Sequence, residues 1–287
     1  MNGAHTRDAP LVPDGLPWLA HTPYWMHFDP AERLRANQLM GLLINELCLA
    51  VEETLIAVGL RPAIAALEAE GESTLAARLT AMLAEERRHS GWFSGFNHAY
   101  APNLYGSDGF RYVAAPRWAR GLGRLSAHVP GAWCACAWLV LATEDWACAF
   151  ASQLDRAAAG GAPIDTAYLA LHRAHLREER EHVTIDAMVV AFAQRRVVPA
   201  LRRPLVVAAH RLVHAAMRPR RAAPRMLSDF VDEFPRWRAE LPGMTRAVLR
   251  VGRTAAYWRS PMVALRLDAT AACAGRWGAS WTGVDDD

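Results

Sequence analysis

The chain has 287 residues, of which 52% are hydrophobic and 21% are charged. This apolar fraction excludes a disordered chain and is sufficient for a sizeable core. The formal net charge of +3 is too small for the concentrated basic field of a dedicated nucleic-acid binder, so we expect no nucleic-acid partner. Five cysteines without a Cys-x-x-Cys pair indicate reduced thiols, and we expect a cytoplasmic protein.

The N-terminal residues 1–28 are rich in proline and aromatic residues and show no periodicity, so we predict an extended arm. They contain no apolar stretch after a basic start, and we expect no signal peptide. A strong helix start follows, with Asp29 as the N-cap, Pro30 at the first helical position and Glu32 at the third.

Four long helices are predicted from apolar residues that recur every three or four positions. The first begins at residue 30, and Gly59 and Pro62 are expected to kink or break it. The others are predicted over about 73–100, 129–158 and 165–195. No convincing alternating strand pattern occurs, so the sequence predicts an all-α protein.

The predicted organisation has three parts: the arm (1–28), a helix bundle (29–195) and a helical extension (196–287) that packs on the same domain. The longest apolar run, 129–143, is short for a bilayer and ends at two acidic residues, so we expect no transmembrane segment. After residue 200 the chain has 15 arginines against 8 acidic residues. We interpret this excess as a solvated basic face; the alternative is a docking surface for an acidic redox partner, a carrier protein or a membrane.

An internal repeat relates the four predicted helices to one another. They form two hairpins, each with a glutamate in an apolar setting on its first helix and Glu-x-x-His on its second. The spacing agrees, with 34 residues from the first glutamate to the second in one hairpin and 35 in the other. The repeated residues are Glu52, Glu86 and His89 in the first hairpin and Glu144, Glu179 and His182 in the second.

Helix geometry gives this repeat a chemical meaning. Residues three apart lie on one helix face, so each Glu-x-x-His motif can reach one metal ion. Antiparallel pairing of the hairpins would bring all four glutamates and both histidines to one level, the dimetal arrangement of ferritin-like bundles. A carboxylate on an apolar face is costly unless it is paired or metal-bound. A solvated face or an arginine-paired glutamate explains each motif singly, whereas two matching copies favour a dimetal site.

Three further residues lie near these motifs on the fourth helix. His175, Glu179 and His182 form one stripe at i, i+4 and i+7, so we predict His175 as a third histidine ligand. The alternative is a hydrogen bond from His175 to a carboxylate near the site. We predict that His172, one turn earlier, is exposed rather than close to the ligands. Asp186, one turn after His182, either orients that histidine or lies on the surface.

Several other polar and aromatic residues receive structural interpretations. The carboxylates next to the predicted ligands are assigned to solvent or to the surroundings of the ligands, and they are Glu53, Glu85, Asp145 and Glu178. The choice of Glu52 over Glu53 rests on the repeat alignment. The aromatic residues Trp133, Trp138, Trp146 and Phe150 are predicted as core, with an apolar pocket beside Glu144 as the alternative. His210 and His214 have no nearby glutamate, and we do not predict a metal site there.

The seven predicted ligands together resemble the pattern of the p-aminobenzoate N-oxygenase family, which are non-haem di-iron arylamine oxygenases. The resemblance covers about residues 30–195, and the His-x-x-x-Glu-x-x-His element separates it from ferritins and from two-histidine hydroxylases. A group described as predicted metal-dependent hydrolases has similar motifs. The resemblance implies a ferritin-like four-helix bundle core with additional C-terminal helices. It also implies metal-binding and catalytic roles for Glu52, Glu86, His89, Glu144, His175, Glu179 and His182.

The activity implied by the resemblance is an O₂-dependent N-oxygenation in natural-product biosynthesis. Two iron ions (Fe²⁺/Fe³⁺) and O₂ would convert a small-molecule or carrier-bound amine to a hydroxylamine, nitroso or nitro product. The sequence has no dinucleotide fingerprint and no iron–sulfur cysteine set, so electrons would come from a separate reductase or ferredoxin. Alternatives are a di-iron C–H hydroxylase or desaturase, a dimetal hydrolase, or a non-catalytic iron-binding protein. A homodimer is one option for its assembly.

Overall fold

The computed structural model of the chain describes residues 8–53, 60–106, 109–113, 121, 131–216, 218, 222–259 and 265–281. Within these ranges the protein is all-α, as predicted, with helices and no strands. The first five helices are α1 (Pro30–Val51), α2 (Arg61–Ala69), α3 (Ser73–Tyr100), α4 (Trp133–Ala159) and α5 (Thr166–Gln194). The C-terminal helices are α6 (Pro199–Ala216), α7 (Ala222–Glu233), α8 (Leu241–Val251), α9 (Ala255–Trp258) and α10 (Asp268–Arg276). Short 3₁₀ segments cover Trp18–His21, Pro23–His27 and Pro235–Glu240.

Helix α1 begins with the predicted capping box. The Glu32 backbone N–H donates to Asp29 Oδ1 at 2.9 Å, and the Asp29 N–H donates to Glu32 Oε2 at 3.0 Å. Glu32 is fully buried, and its carboxylate also accepts from Trp237 Nε1 at 2.6 Å and from Arg236. The helix start is therefore also the point at which the C-terminal extension is attached to α1.

Two further predicted helices have the expected boundaries, whereas the third long helix begins at Trp133, later than predicted, because residues 131–132 form a turn. Helix α3 spans the residues expected, and α5 begins after Asp165, whose side chain accepts from the Tyr168 N–H at 2.8 Å as an N-cap. Pro62 is the second residue of α2, so a new helix begins at the predicted break. Gly59 and the beginning of the predicted third helix, 129–130, lie outside the described residues.

Four long helices pack pairwise into a closed ring. Helices α4 and α5 lie along each other, α3 packs on both α1 and α5, and α1 also contacts α4. One apolar cluster fills the end of the ring that holds Leu43 and Phe93, and a second fills the end that holds Leu79 and Val189. The predicted ligands lie between these two clusters along α3, α4 and α5, so the ring holds a polar layer between two apolar layers.

The N-terminal arm is fixed across α1 and the start of α5. Asn37 Oδ1 accepts from the N–H groups of Leu11 and Val12 at 2.8 and 3.0 Å. A Cβ atom at Gly41 would lie only 2.4 Å from Leu11 Cβ, so glycine permits this close approach. The Asp165 N–H donates to the carbonyl oxygen of Pro10 at 2.8 Å. The described part of the arm, residues 8–28, therefore packs as part of the folded body.

The C-terminal extension is anchored to α4 through a buried carboxylate. The backbone N–H and the hydroxyl of Thr270 both donate to Asp145 Oδ2 at 2.8 Å. The prediction that Asp145 faces solvent or surrounds the ligands is wrong, because the side chain binds the start of α10. Helix α4 is long and apolar enough to cross a bilayer, but most of its apolar stretch is buried inside the protein.

Candidate metal centre

The polar layer contains all seven residues that the sequence predicted as ligands. Each is at most 3% exposed. Glu52 directly follows α1, whereas α3, α4 and α5 carry the other six. The residues are Glu52, Glu86, His89, Glu144, His175, Glu179 and His182.

The two Glu-x-x-His motifs face each other across the interface of α3 and α5. Each of their four residues offers a ligand atom within 4.8 Å of the other three. His89 Nδ1 lies 3.0 Å from Glu179 Oε1 on the opposite helix, and His182 Nδ1 lies 2.6 Å from Glu86 Oε1. Each histidine is therefore close to the glutamate of the other motif, which is an arrangement that can enclose one cation.

A second group of ligand atoms shares His89 with the first and consists of Glu52, His89 and His175. His175 Nε2 lies 3.3 Å from Glu52 Oε1 and 2.8 Å from Glu179 Oε1. The rings of His89 and His175 are 4.7 Å apart, in an edge-to-face arrangement. The structure thus places the third histidine of the predicted pattern beside the other two and within reach of a second cation.

Glu144 is also a predicted ligand, but it belongs to neither of the two groups that the described residues form. It is buried, and burial together with the nearby carboxylates of Glu179 and Glu86 raises its pKa well above the ordinary value. Glu144 also lines a small chamber with Glu52 and His175. Six of the predicted ligands therefore form two groups, and the seventh lies against them.

The backbone orientation distinguishes the two neighbouring glutamates at the end of α1. Glu52 is 3% exposed and points inward, where its Oε2 accepts from Ser90 Oγ at 3.0 Å. Glu53 points outward and is exposed. Glu52, which the repeat alignment selected, is thus the glutamate that faces the cluster.

Two carboxylates hold the outer nitrogens of the cluster histidines. His89 Nε2 lies 2.7 Å from Glu178 Oε2, and His182 Nε2 lies 2.8 Å from Glu85 Oε2. In each pair, the histidine and the glutamate come from different helices. A proton on Nε2 leaves the Nδ1 lone pair directed towards the cluster, which is the tautomer that a metal ligand requires.

The inward-facing atoms of the cluster fit a metal. They lie close together, yet none has an aligned hydrogen-bond partner, and unsatisfied buried polar atoms are costly. Divalent cations would satisfy the nitrogen and oxygen lone pairs together, and mixed imidazole–carboxylate sites suit iron, manganese or zinc. The atoms concerned are Glu52 Oε1, both carboxylate oxygens of Glu86 and of Glu179, His89 Nδ1, His175 Nε2 and His182 Nδ1.

The cluster strongly perturbs the pKa values of its members. Burial opposes histidine protonation, but the carboxylates of Glu179 and Glu86 outweigh it and raise the pKa of His89 to about 10 and that of His182 to about 11. Similarly, the pKa of His175 rises to about 9. Burial raises the pKa of Glu52 to about 7. Protons on the histidines thus balance the buried carboxylates when no cation does so.

His172 was predicted to be exposed, and this was wrong. It is 2% exposed, and its Nε2 lies 3.1 Å from Asn45 Oδ1. Asn45 Nδ2 in turn donates to Asn97 Oδ1 at 2.9 Å. Burial lowers the pKa of His172 to about 3, so this histidine is neutral. The signal that could have identified this network is Asn45 itself, a polar residue within an apolar helical run.

Asp186 has neither of the two roles predicted for it. It is 1% exposed, which excludes a surface position, and the outer nitrogen of His182 faces Glu85 instead. Neither carboxylate oxygen of Asp186 has a hydrogen-bond partner within the described parts of the chain. Burial raises its pKa well above the ordinary value. Its position one turn beyond His182 on the ligand stripe was the signal for a buried position.

The aromatic residues of α4 divide between core and pocket. Trp133, Trp138 and Phe150 are buried in the apolar clusters, as predicted, whereas Trp146 is partly buried and lines the chamber beside Glu144.

The rings of His210 and His214 pack 4.4 Å apart, and among the residues that the structure describes no third ligand forms a metal group with them.

No protein-family model and no curated protein matches this chain. The structure itself shows a buried Glu/His cluster that could hold metal. The metal and the reaction follow as a proposal from the chemistry of these residues and from the pattern described above.

Proposed function

We propose that the protein is an O₂-dependent non-haem di-iron oxygenase. The observation that carries this proposal is the pair of adjoining ligand groups, which share one buried layer and combine carboxylate with imidazole donors. Iron bound there would supply the electrons and the open coordination positions needed to activate O₂. Four glutamates in the same layer offset the charge of two divalent cations, which a single-metal site would not need.

The residues around the cluster support this chemistry in two ways. Glu85 and Glu178 orient His182 and His89, so the ligand geometry is fixed from outside. A chamber of about 60 Å³ lies beside Glu52, Glu144 and His175, and apolar side chains such as Val51 form its remaining walls. Such a chamber has room for a small reacting group beside the ligand atoms.

The proposed reaction is N-oxygenation of an amine to a hydroxylamine, nitroso or nitro product. Its support is the resemblance of the seven-ligand pattern to that of di-iron arylamine oxygenases. In this chain His175 provides the third histidine of the pattern. The electrons would come from a separate reductase or ferredoxin, and the amine would be a small molecule or a carrier-bound metabolite. We include in the proposal a role in a biosynthetic pathway of the cytoplasm.

The experiment that tests the proposal is anaerobic loading with iron(II), followed by rapid mixing with O₂. We expect about two irons per chain by metal analysis, a transient visible absorption band after mixing, and faster decay of that band with a substrate amine. The Glu179→Gln variant should lose the band, whereas Glu181→Gln on the exposed face of α5 should retain it. Binding of zinc or manganese alone, without any reaction of iron with O₂, would contradict the oxygenase and favour a dimetal hydrolase or a metal-binding protein.

A further inference from the structure

A large apolar cavity lies beside the candidate metal centre. Its volume is about 440 Å³, within the range of small-molecule binding sites. The N-terminal arm, α1, α4 and the C-terminal extension, including α6, all contribute to its walls. Its aromatic lining residues are Trp18, Trp146, Tyr257, Trp258 and Trp281. The cavity therefore offers flat apolar walls, and much of this lining comes from the extension, for which the sequence suggested no role in ligand binding.

This cavity adjoins the small chamber at the cluster. Leu47, Trp146 and Val213 line both spaces, so the larger cavity and the chamber meet at these three side chains. On the far side of these three residues the chamber reaches Glu52 and His175. A ligand that fills the large cavity and extends past these three side chains would reach the Glu52 and His175 side of the second group.

The charge around the cavity indicates the kind of ligand that fits. Its charged lining residues, Arg266 and Asp268, form an ion pair at 2.7 Å, and their side chains are 89% and 75% exposed. This pair lies at the rim and has no net charge. His214 also lines the cavity and packs its ring 5.2 Å from that of Trp258. Transfer of an anion into such apolar walls would be costly, because the only arginine among the described lining residues is already paired with Asp268.

We propose that the cavity and the chamber together bind a neutral, predominantly apolar substrate that is much larger than the chamber. Its reacting group lies between Leu47, Trp146 and Val213 and faces the Glu52 and His175 side of the metal centre. The body of the molecule fills the larger cavity against the tryptophans. The reaction at the inner end rests on the proposed function, whereas binding of the body does not require a metal.

Binding can be tested with the full-length, metal-free protein and two matched fluorescent probes. The first, 1-aminoanthracene, is a neutral fused-ring amine at pH 8, and the second, 1-anthracenecarboxylate, is an anion with the same ring system. We expect 1-aminoanthracene to gain emission on binding and to bind at least tenfold more tightly than the carboxylate. Equal or tighter binding of the anion would overturn the proposal.

Variants locate the probe in the cavity. Ala271→Trp places a large ring in the cavity, and Leu265→Trp does the same from the segment before α10, so each should weaken binding of 1-aminoanthracene at least tenfold. Ala272→Trp is the matched control because Ala272 neighbours Ala271 and is exposed like it, but does not line the cavity. Circular dichroism and thermal unfolding show whether each variant is folded. Unchanged probe affinity in both folded cavity variants would overturn the proposal.

The outcomes separate this inference from the proposed function. Probe binding that is sensitive to positions 271 and 265 supports the ligand site even if iron in the centre does not react with O₂. Conversely, a reactive iron centre with probe binding that is insensitive to both positions overturns the ligand site and leaves the oxygenase standing.

Discussion

His182 Nε2 lies 2.8 Å from Glu85 Oε2, although the two residues are on different helices. The reverse pair exists as well, because His89 on α3 contacts Glu178 on α5 at 2.7 Å. In each of the two Glu-Glu-x-x-His segments, the first glutamate thus contacts the histidine of the opposite segment. We call Glu85 and Glu178 the exchanged glutamates. This reciprocal contact fixes both imidazole rings with Nδ1 towards the cluster before any metal binds.

The exchanged glutamates should control metal affinity. Glu85→Gln and Glu178→Gln each remove the charge that holds a histidine ring, so we expect metal binding to weaken about 10–100-fold. Competitive titration with a chelating dye measures the change. Glu181→Gln is the control, since Glu181 is 70% exposed and pairs with Arg78 rather than with a histidine. Unchanged affinity in both variants would show that the outer contacts do not orient the ligands.

The two ligand groups should be separable by mutation. His175 belongs to the second group but not to the first, so His175→Ala should lower iron binding from about two ions per chain to about one. Metal analysis after anaerobic loading and desalting measures this ratio. His98→Ala changes an exposed histidine on α3 and should leave the ratio unchanged. Two tightly held irons in the His175→Ala protein would contradict the assignment of this residue.

The stability of the metal-free protein should fall as the pH rises. The pKa values of His175, His89 and His182 are raised from an ordinary 6.5 to about 9, 10 and 11. Their contribution to stability is therefore fully present below about pH 6.5 and is lost as the pH rises through 9 to 11. Glu52, with its pKa raised to about 7, adds to the loss between about pH 4.5 and 7 because the folded state holds its proton more tightly.

Metal binding should reverse this trend, because cations replace the protons on the three histidines. We expect the increase in Tm on adding manganese(II) to be larger at pH 8.5 than at pH 6.5. Thermal unfolding at both pH values, with and without the metal, measures the difference. An increase that is independent of pH would indicate that the metal binds elsewhere.

Asp186 should destabilise the metal-free protein at neutral and higher pH. Its raised pKa means that folding becomes less favourable as the pH rises above the unfolded value near 3.8 and towards the folded one. Asp186→Asn removes the ionisation, and we expect Tm at pH 8 to rise by about 2 °C or more, which corresponds to about 1 kcal/mol for a chain of this size.

The same comparison at pH 5 should show a smaller gain, because less of the ionisation penalty is present there. Asp232→Asn is the control, since Asp232 lies on the surface in an ion pair with Arg238 and should change Tm little at either pH. A loss of Tm in Asp186→Asn at pH 8 would show that the carboxylate stabilises the fold.

The anchor of the C-terminal extension should be measurable as stability. Asp145→Ala leaves the N–H and hydroxyl of Thr270 without their acceptor, so we expect unfolding to become easier by about 1–3 kcal/mol. Urea denaturation gives this value. Asp155→Ala removes an exposed ion pair with Arg173 and should cost less than about 1 kcal/mol. A cost for Asp145→Ala no greater than that for Asp155→Ala would exclude the anchor.

Local chemistry in the sequence determined the helices and the faces that carry the cluster. The capping pair Asp29–Glu32 and the break at Pro62 act within a few residues, and the spacing of Glu86 and His89 places both on one helix face. For this reason the all-α class, the long helices and the convergence of the two Glu-x-x-His motifs could be predicted. The ferritin-like relationship and the di-iron chemistry stay predictions.

Contacts between residues far apart in the chain were decided by the tertiary structure alone. Asp145 binds Thr270, 125 residues away, and His182 takes Glu85 rather than Asp186 as its partner. The cavity combines residues from Leu16 to Trp281. Helical periodicity specifies which side of one helix is buried, but it contains no information about which helix packs there. The supporting carboxylates and the ligand cavity therefore emerge only when the arm, the ring of helices and the extension pack together.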